Sequence, residues 1–384
     1  MRRLSKLVGQ LSISEEEEKP PQTLRQDVNP SSASSSINKH QRTIIFLGCG
    51  GSGKSSIMRA IHPIPEFLSL KLIDYMYENI LNIPTFILGT DFGKELKKRK
   101  NQEFFENEFN HHSLMIYMAK TASIWDEEFA KKIYSMWWDP GFQKFVFERR
   151  SSFAYMDAVH YFIQQRNFKR IMRSGFHPCR EDTFYCMIKT TGFVEISYRS
   201  GYVCVDSGGQ RTERKKWPIH LQYEEGKVIC FVVSLSEFDE LCYEDDVTNR
   251  YEEGLSNWDT WYHNELVQKL PIYIIFNKMD VLERKVKNGI KFSDYVKSYD
   301  GDDNDPEAIS EFIIQRYLEI DTFFNRVVKH FKISANNFDQ CVNTINEIFH
   351  IDERYFGIHD FRRIVEHLLV GLKEMEQSRI QSSH

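Results

Sequence analysis

Eight consecutive residues, Gly48-Cys49-Gly50-Gly51-Ser52-Gly53-Lys54-Ser55, narrow the possible folds more than any other part of the chain. They follow the apolar run Thr43-Ile44-Ile45-Phe46-Leu47 and lead into Ser56-Ile57-Met58-Arg59-Ala60, a helix-forming stretch. The apolar run does not alternate with polar residues, which suits a strand buried on both faces of a parallel sheet. A strand, a glycine-rich loop closing in Gly-Lys-Ser and a helix start together form the phosphate-cradling Walker A element. Gly48, Gly50, Gly51 and Gly53 leave backbone N–H groups free to close around phosphate oxygens. Ser52, Ser55 and Ser56 sit in the same cradle, at the positive end of the helix. Lys54 reaches toward β- and γ-phosphates, and the Ser55 hydroxyl is a ligand for Mg²⁺.

Two further elements follow in the order that phosphate chemistry requires. Asp206-Ser207-Gly208-Gly209-Gln210 ends the apolar run Tyr202 to Val205. A carboxylate there holds a magnesium-bound water, Gly208 and Gly209 let the backbone approach the γ-phosphate, and Gln210 orients an attacking water. Asn277-Lys278-Met279-Asp280 comes after the run Ile272 to Phe276. Its Asp280 carboxylate only accepts hydrogen bonds, so it selects guanine, whose ring N–H and exocyclic amine both donate. Asn277 contacts the ring edge, and the Lys278 stem packs over the base.

The rest of the chain is organised around these elements. Another apolar run, Val228 to Val233, completes a set separated by amphipathic stretches, as in an α/β sheet. Residues from about 64 to 182 are aromatic-rich, glycine-poor and periodic at helical spacing, which predicts an all-helical insertion. Residues 1 to about 38 read as a solvated tail, with the acidic run Glu15 to Glu18, three prolines and the serines Ser31 to Ser36. Seven scattered cysteines with no C-x-x-C pair argue against a disulfide scaffold or zinc site. A net charge of −5 gives no reason to expect nucleic-acid binding, and no apolar run is long enough to span a membrane. Residue 2 is Arg2 rather than glycine, and no cysteine lies nearby, so no N-terminal acyl chain is expected. His111-His112 and Lys97-Lys98-Arg99-Lys100 read as solvated surface, and Trp137-Trp138 as packing residues.

The segment Asp206 to Trp217, spelled DSGGQRTERKKW, resembles the second switch of heterotrimeric G-protein α subunits almost letter for letter. Lys189-Thr190-Thr191-Gly192 is similar to their first switch, and Leu235 to Asp239 with Glu244-Asp245-Asp246 and Asn249-Arg250 to their third. Trp138-Asp139-Pro140-Gly141-Phe142-Gln143 resembles a segment of their helical domain. The resemblance runs from about residue 41 to the C-terminus. It implies a Ras-like α/β GTPase domain over 39–63 and 183–384, a helical domain over 64–182, and GTP or GDP in the cleft between them. Thr190 becomes the second magnesium ligand beside Ser55, with Asp206 acting through water, and Lys189 joins the nucleotide-binding set. Catalysis falls to Gln210, Lys54 and Thr190. The implied partners are a seven-helix receptor, an effector and a G-protein βγ dimer. The implied place is the cytoplasm, or the inner face of the plasma membrane where partners hold the protein there. The alternative is a GTP-dependent binding module that does not hydrolyse its nucleotide.

Four departures from the family pattern bear on activity. The family's catalytic arginine lies three residues before the magnesium threonine, and that position is Met187; the nearest upstream arginine is Arg180. The glutamate that pairs with it in the phosphate loop is Gly51 here, so slow hydrolysis is expected. The N-terminal amphipathic helix and its lipidation sites are replaced by the tail, which implies a weakened βγ contact. The last base-contacting loop is not recognisable: counting from a final helix at His359 to about Arg379 suggests Glu353-Arg354-Tyr355, and local chemistry suggests Ser334-Ala335-Asn336. The guanine assignment is tested by Asp280→Asn, which should weaken GTP binding and favour xanthine nucleotides. An acceptor left unpaired against the wrong base costs on the order of 1–3 kcal/mol, so the wild-type chain should also bind GTP far more tightly than ATP in competition titrations.

Overall fold

The sheet grows outward from the strand that carries the phosphate loop. In the computed structural model, the described residues are 42–62, 72–89, 127–148, 156–173, 175–199, 201–222, 226–242, 244–245, 247–268, 270–321 and 326–351. β1 (Arg42–Leu47) runs directly into the loop, and α1 (Lys54–Ile61) leaves it. Helices α2 (Leu72–Gly89), α3 (Glu127–Trp137), α4 (Pro140–Glu148), α5 (Met156–Ile163), α6 (Gln165–Ile171) and α7 (Arg180–Tyr185) come next. After them come β2 (Phe193–Arg199), β3 (Tyr202–Ser207), α8 (Arg211–Arg214), α9 (Trp217–Leu221) and β4 (Lys227–Ser234). The last elements are α10 (Arg250–Tyr262), β5 (Ile272–Asn277), α11 (Met279–Lys287), α12 (Pro306–Leu318), β6 (Val327–Lys332) and α13, residues 338–351.

The six strands lie in the order β2-β3-β1-β4-β5-β6, all parallel except the edge strand β2, which pairs antiparallel with β3. β1, β3, β4 and β5 match the four apolar runs of the sequence. Their side chains alternate between two buried faces, as the period of a strand demands. Ile45, Val205, Phe231, Val233, Ile274 and Phe276 face one core, packed with Trp258, Tyr262, Ile313 and Tyr317. Ile44, Phe46, Cys204, Cys230, Val232 and Ile275 face the other, packed with Ile57, Met58, Ile345 and Phe349. β2 and β6 were not expected. Both are edge strands with polar residues interspersed, FVEISYR and VVKHFK, so neither gives a continuous apolar run.

The described residues divide between two units. Those of 70–149 and 158–177 form one, and those of 41–69, 150–157 and 178–384 the other. In the first unit α3 packs on α2 through Trp137, which is buried and donates from Nε1 to the Ile80 carbonyl at 3.3 Å. Phe142 meets the Trp137 ring edge-on at 5.2 Å, and its amide is capped by Asp139 Oδ1 at 2.8 Å. The packing role expected of Trp137 therefore holds, while Trp138 is 46% exposed and meets the Tyr134 ring at 6.1 Å. The tail, Lys97 to Lys100, His111-His112, Glu353 to Tyr355 and the stretch from His359 onward lie outside the described residues. No described helix is long and apolar enough to cross a membrane.

Phe231, in the centre of the sheet, is 2% exposed and lies 4.9 Å from the Trp258 ring. Phe231→Ala should destabilise the sheet unit by about 3–5 kcal/mol through lost burial and the cavity left behind. Urea unfolding at fixed nucleotide and magnesium concentrations measures it.

Candidate functional site

The candidate site sits where β1, β3, β4 and β5 end. In open parallel sheets, that edge, at the point where successive strands depart to opposite sides, is where ligands bind. β1 lies between β3 and β4, so the phosphate loop occupies this point. The loop meets α1 through Gly53, whose φ of +102° is left-handed, and a Cβ there would overlap Asn277 Nδ2. Glycine at 53 therefore serves both the turn and the close approach of Asn277, which donates from Nδ2 to the Ser52 carbonyl at 3.0 Å.

Lys54 is 5% exposed, and its ammonium donates to the Gly48 and Cys49 carbonyls, each at 2.8 Å. Burial pushes its pKa below the ordinary lysine value, while the nearby Asp206 carboxylate opposes the shift. Ser55 and Ser56 form the first turn of α1 with it. Gly209 lies against the loop, since a Cβ on it would come within 2.5 Å of both Gly48 O and Lys54 Nζ. Cys49 also lies in the loop, and burial raises its thiol pKa, which keeps it neutral.

Three oxygens from separate segments converge beside Lys54. Ser55 Oγ donates to Asp206 Oδ2 at 2.5 Å and lies 2.8 Å from Thr190 Oγ1, which in turn donates to Asp206 Oδ2 at 3.1 Å. Asp206 Oδ1 is buried and has no hydrogen-bond partner among the described residues. Two hydroxyls and a carboxylate with a spare oxygen form a hard, all-oxygen donor set, which fits a small divalent cation such as Mg²⁺. Lys189, next to Thr190, is exposed and lies within electrostatic range of Glu213.

The segment after β3 is tied down on both sides. Gly208 N donates to Gly192 O at 2.9 Å, and Trp217 Nε1 to Gly208 O at 3.0 Å. Arg214 Nε donates to Gly209 O at 2.9 Å, and its Nη2 to Glu253 Oε1 at 2.5 Å. Arg211 grips Glu253 with two nitrogens, at 3.0 and 2.9 Å, and Asp245 at 2.7 Å. The hydrogen bonds from Arg211, more than those from Arg214, hold the Glu253 carboxyl below the usual range against the effect of burial. Gln210 precedes α8, its carbonyl accepting from Glu213 N and Arg214 N, and its side chain lies against Gly50 of the phosphate loop.

At the far end of the site, Lys278 is the one described non-glycine residue with positive φ, 69°, and its Nζ lies 3.1 Å from Glu237 Oε1. Asn277 Oδ1 accepts from Ala335 N at 3.0 Å, and Asp280 N donates to Ser334 Oγ at 3.0 Å. Asn336 Nδ2 donates to Asp280 Oδ2 at 3.0 Å. Ser334-Ala335-Asn336, directly after β6, is thus the loop that packs on the Asn277–Asp280 element. Its signal in sequence was a short Ser-Ala pair after an unrecognised edge strand.

Met187 lies in the irregular stretch between α7 and Thr190, partly exposed. Arg180, at the start of α7, donates from Nη2 to the Ala60 carbonyl at 2.7 Å and stacks 4.0 Å over the Phe338 ring. Ala60 is six residues beyond Lys54 on α1, about 9 Å along the axis at the usual helical rise, so Arg180 is anchored at the end of the helix away from the loop.

Comparison with known proteins agrees with this geometry. The sequence pattern of the G-protein alpha subunit family matches residues 17–351. This chain belongs to the G-protein α-subunit family. It is 33% identical over 306 residues to the guanine nucleotide-binding protein alpha-17 subunit of Caenorhabditis elegans, a match that spans 75% of this chain and 80% of that protein. The family match begins inside the stretch read from sequence as a tail. Membership brings a Ras-like GTPase domain, guanine-nucleotide binding and a role in signal transduction as family properties.

Gly50 offers a direct probe of the Gln210 position. A Cβ there would lie 3.2 Å from Gln210 Cγ, and the branched carbons of valine would press further. The resemblance gives Gln210 the task of orienting the attacking water, and misplacing such a group by about 1 Å can cost on the order of a hundredfold in rate. Gly50→Val should therefore lower single-turnover GTP hydrolysis at least tenfold, by the same principle, with a much smaller change in nucleotide affinity.

Proposed function

We propose that this α subunit is a magnesium-dependent guanine-nucleotide switch that hydrolyses GTP slowly and passes a signal from a seven-helix receptor to an effector. The observation that carries the proposal is the convergence of Ser55 with Thr190 and Asp206, which lie 135 and 151 positions further along the chain, beside Lys54 and Gly209. Ser55 and Thr190 would hold the cation directly and Asp206 through water. The cation neutralises charge on the phosphate chain when bound. Gly48, Gly50, Gly51, Ser52 and Gly53 would cradle the phosphates, with Ser56 and Lys189 at the margins. Asn277, Lys278 and Asp280 would hold guanine, with Ser334 to Asn336 bracing them.

The wider reading takes residues 39–63 and 183–384 as the GTPase domain and 64–182 as an inserted helical domain. GTP would hold the stretches around Thr190 and Gly209 in one arrangement, and hydrolysis would release them. A βγ dimer would grip the surface around Lys215 and Lys216, more weakly than is usual if the N-terminal helix is absent; Trp217, expected from sequence to join them, is fully buried and holds the Gly208 carbonyl instead. The protein would be cytoplasmic and reach a membrane through such partners.

Rate is where this chain should differ from its relatives. At position 187 a thioether can neither donate hydrogen bonds nor carry charge to the transferring phosphoryl group. Arg180 is held at the end of α1 by Ala60 and Phe338. Gln210 remains beside the loop to place the water. The absent arginine also favours the second reading, a GTP-dependent scaffold with no turnover. Single-turnover hydrolysis with magnesium decides between the two. Slow, magnesium-dependent release of phosphate that Gln210→Leu abolishes supports the switch, and no release supports the scaffold. Met187→Arg should speed hydrolysis by about ten- to a hundredfold, scaled from the difference between GTPases that carry a cis arginine and those that lack one.

A further inference from the structure

The space that Gly51 leaves in the phosphate loop is filled from another part of the chain. A Cβ at Gly51, where φ is +84°, would overlap Arg250 Nη2 and lie 3.4 Å from Glu237 Oε1. Arg250 opens α10, fixed there by its neighbour Asn249, whose side chain accepts from Tyr251 N and Glu252 N as the helix cap. Its side chain is 11% exposed and reaches the loop, donating from Nη2 to the Gly50 carbonyl. Two carboxylates hold it there. Glu237 takes Nε at 3.1 Å and Nη2 at 2.9 Å, and Glu240 lies 3.6 Å from Nη1. The same Glu237 Oε1 receives Lys278 Nζ at 3.1 Å, so one carboxylate joins this arginine to the guanine-selecting element.

We propose that Arg250 is a positioning residue for the phosphate loop, setting the Gly50–Gly51 peptide so that the Gly51 N–H faces the β- and γ-phosphates. In a trans peptide the carbonyl and the following N–H point in opposite directions. Anchoring the Gly50 oxygen on Arg250 therefore turns the Gly51 N–H to the other side of the loop. A charge-assisted bond to the carbonyl also polarises the peptide and strengthens its N–H as a donor. Gly51 is needed twice: its backbone takes the left-handed conformation, and its missing side chain admits the guanidinium. The glutamate usual at this position would compete with Glu237 for Arg250. The loop of this chain is thus braced from α10 and the stretch after β4 rather than from its own side chain.

The inference rests on the nucleotide-binding reading, and the test separates the two. Dissociation of fluorescent GDP and of a non-hydrolysable GTP analogue is measured on the full chain with magnesium. The variants are Arg250→Ala, Arg250→Lys, Gly51→Ala, and the double variant of Gly51→Ala with Arg250→Ala. Equilibrium binding of GMP, which has no β-phosphate, is measured in parallel. Arg250→Ala should speed release of both GDP and the analogue by ~10- to 100-fold, the range for a lost hydrogen bond to a charged group, and weaken GMP binding much less, since GMP is touched only through the Glu237 carboxylate shared with Lys278. Arg250→Lys, which keeps a cation between Glu237 and Glu240 but loses the planar fork, should lie between, and it carries the test if the alanine variant does not fold. Gly51→Ala should also speed release, and its effect should be smaller on top of Arg250→Ala than alone, because the colliding group is gone and only the cost of the left-handed backbone remains. Unchanged release in Arg250→Ala, equal weakening of GMP and GDP, or strictly additive effects in the double variant would each overturn the inference. Failure of the wild-type chain to bind guanine nucleotides would overturn the proposed function itself, and this inference with it.

Discussion

A loop that offers its backbone amides to phosphate must keep side chains away from them, and this constraint shapes everything around it. Where the loop is bare, neighbouring elements pack on the backbone itself. Gln210 lies against Gly50, Arg250 against Gly51 and Asn277 against Gly53, while Gly209 lies against Lys54. These residues come from the stretch after β3, the start of α10 and the end of β5. The order β3-β1-β4-β5 delivers all of them to one edge, because the loop-bearing strand lies between strands reached by opposite crossovers. Close packing on a bare backbone is therefore how the sheet turns four distant segments into one site.

What the sequence reveals follows the same physics. Strands buried on both faces must be apolar throughout, so β1, β3, β4 and β5 were visible as uninterrupted runs. The edge strands β2 and β6 carry Glu195, Ser197, Lys329 and His330 at exposed or half-exposed positions, and no such run survives. Ser55, Asp206 and Asn277 were legible because each chemical task allows few residue types. The loop Ser334 to Asn336 was not, because its contact with Asn277 is made by the backbone N–H of Ala335, which almost any residue could supply. The contact between Arg250 and Gly50 spans 200 positions, and no local pattern announces it. A missing glutamate is visible in sequence; what takes its place is visible only in three dimensions.

The face of α10 that meets the site carries two opposite charges with different partners. Arg250 and Glu253 are three residues apart, so they share a face, and Asn257 follows one turn on. Arg250 holds the Gly50 carbonyl, Glu253 holds Arg211 and Arg214, and Asn257 accepts from Arg214 Nη1 at 3.0 Å. Arg214 in turn holds the Gly209 carbonyl. One helix thus grips the phosphate loop through a cation and the Gly209 stretch through an anion.

Buried ion pairs of this kind do not yield gradually. Glu237 is 5% exposed and Lys285 is 14% exposed, with Lys285 bonded at once to Asp239 at 2.5 Å, Glu240 at 2.9 Å and the Ser236 carbonyl at 2.6 Å. Lys285 and Arg250 together hold the Glu240 carboxyl down at about 2, against the effect of burial, so it stays charged. Removing one partner from such a set leaves an uncompensated charge out of water, which costs far more than the intact pairs contribute. The arrangement is therefore stable only when complete, or when the segments that carry it have moved far enough for every charge to regain solvent. Intermediate positions are penalised from both sides. For the two-state switch proposed above, this all-or-none character would be the useful property, and it resides in the same residues that pack against the phosphate loop.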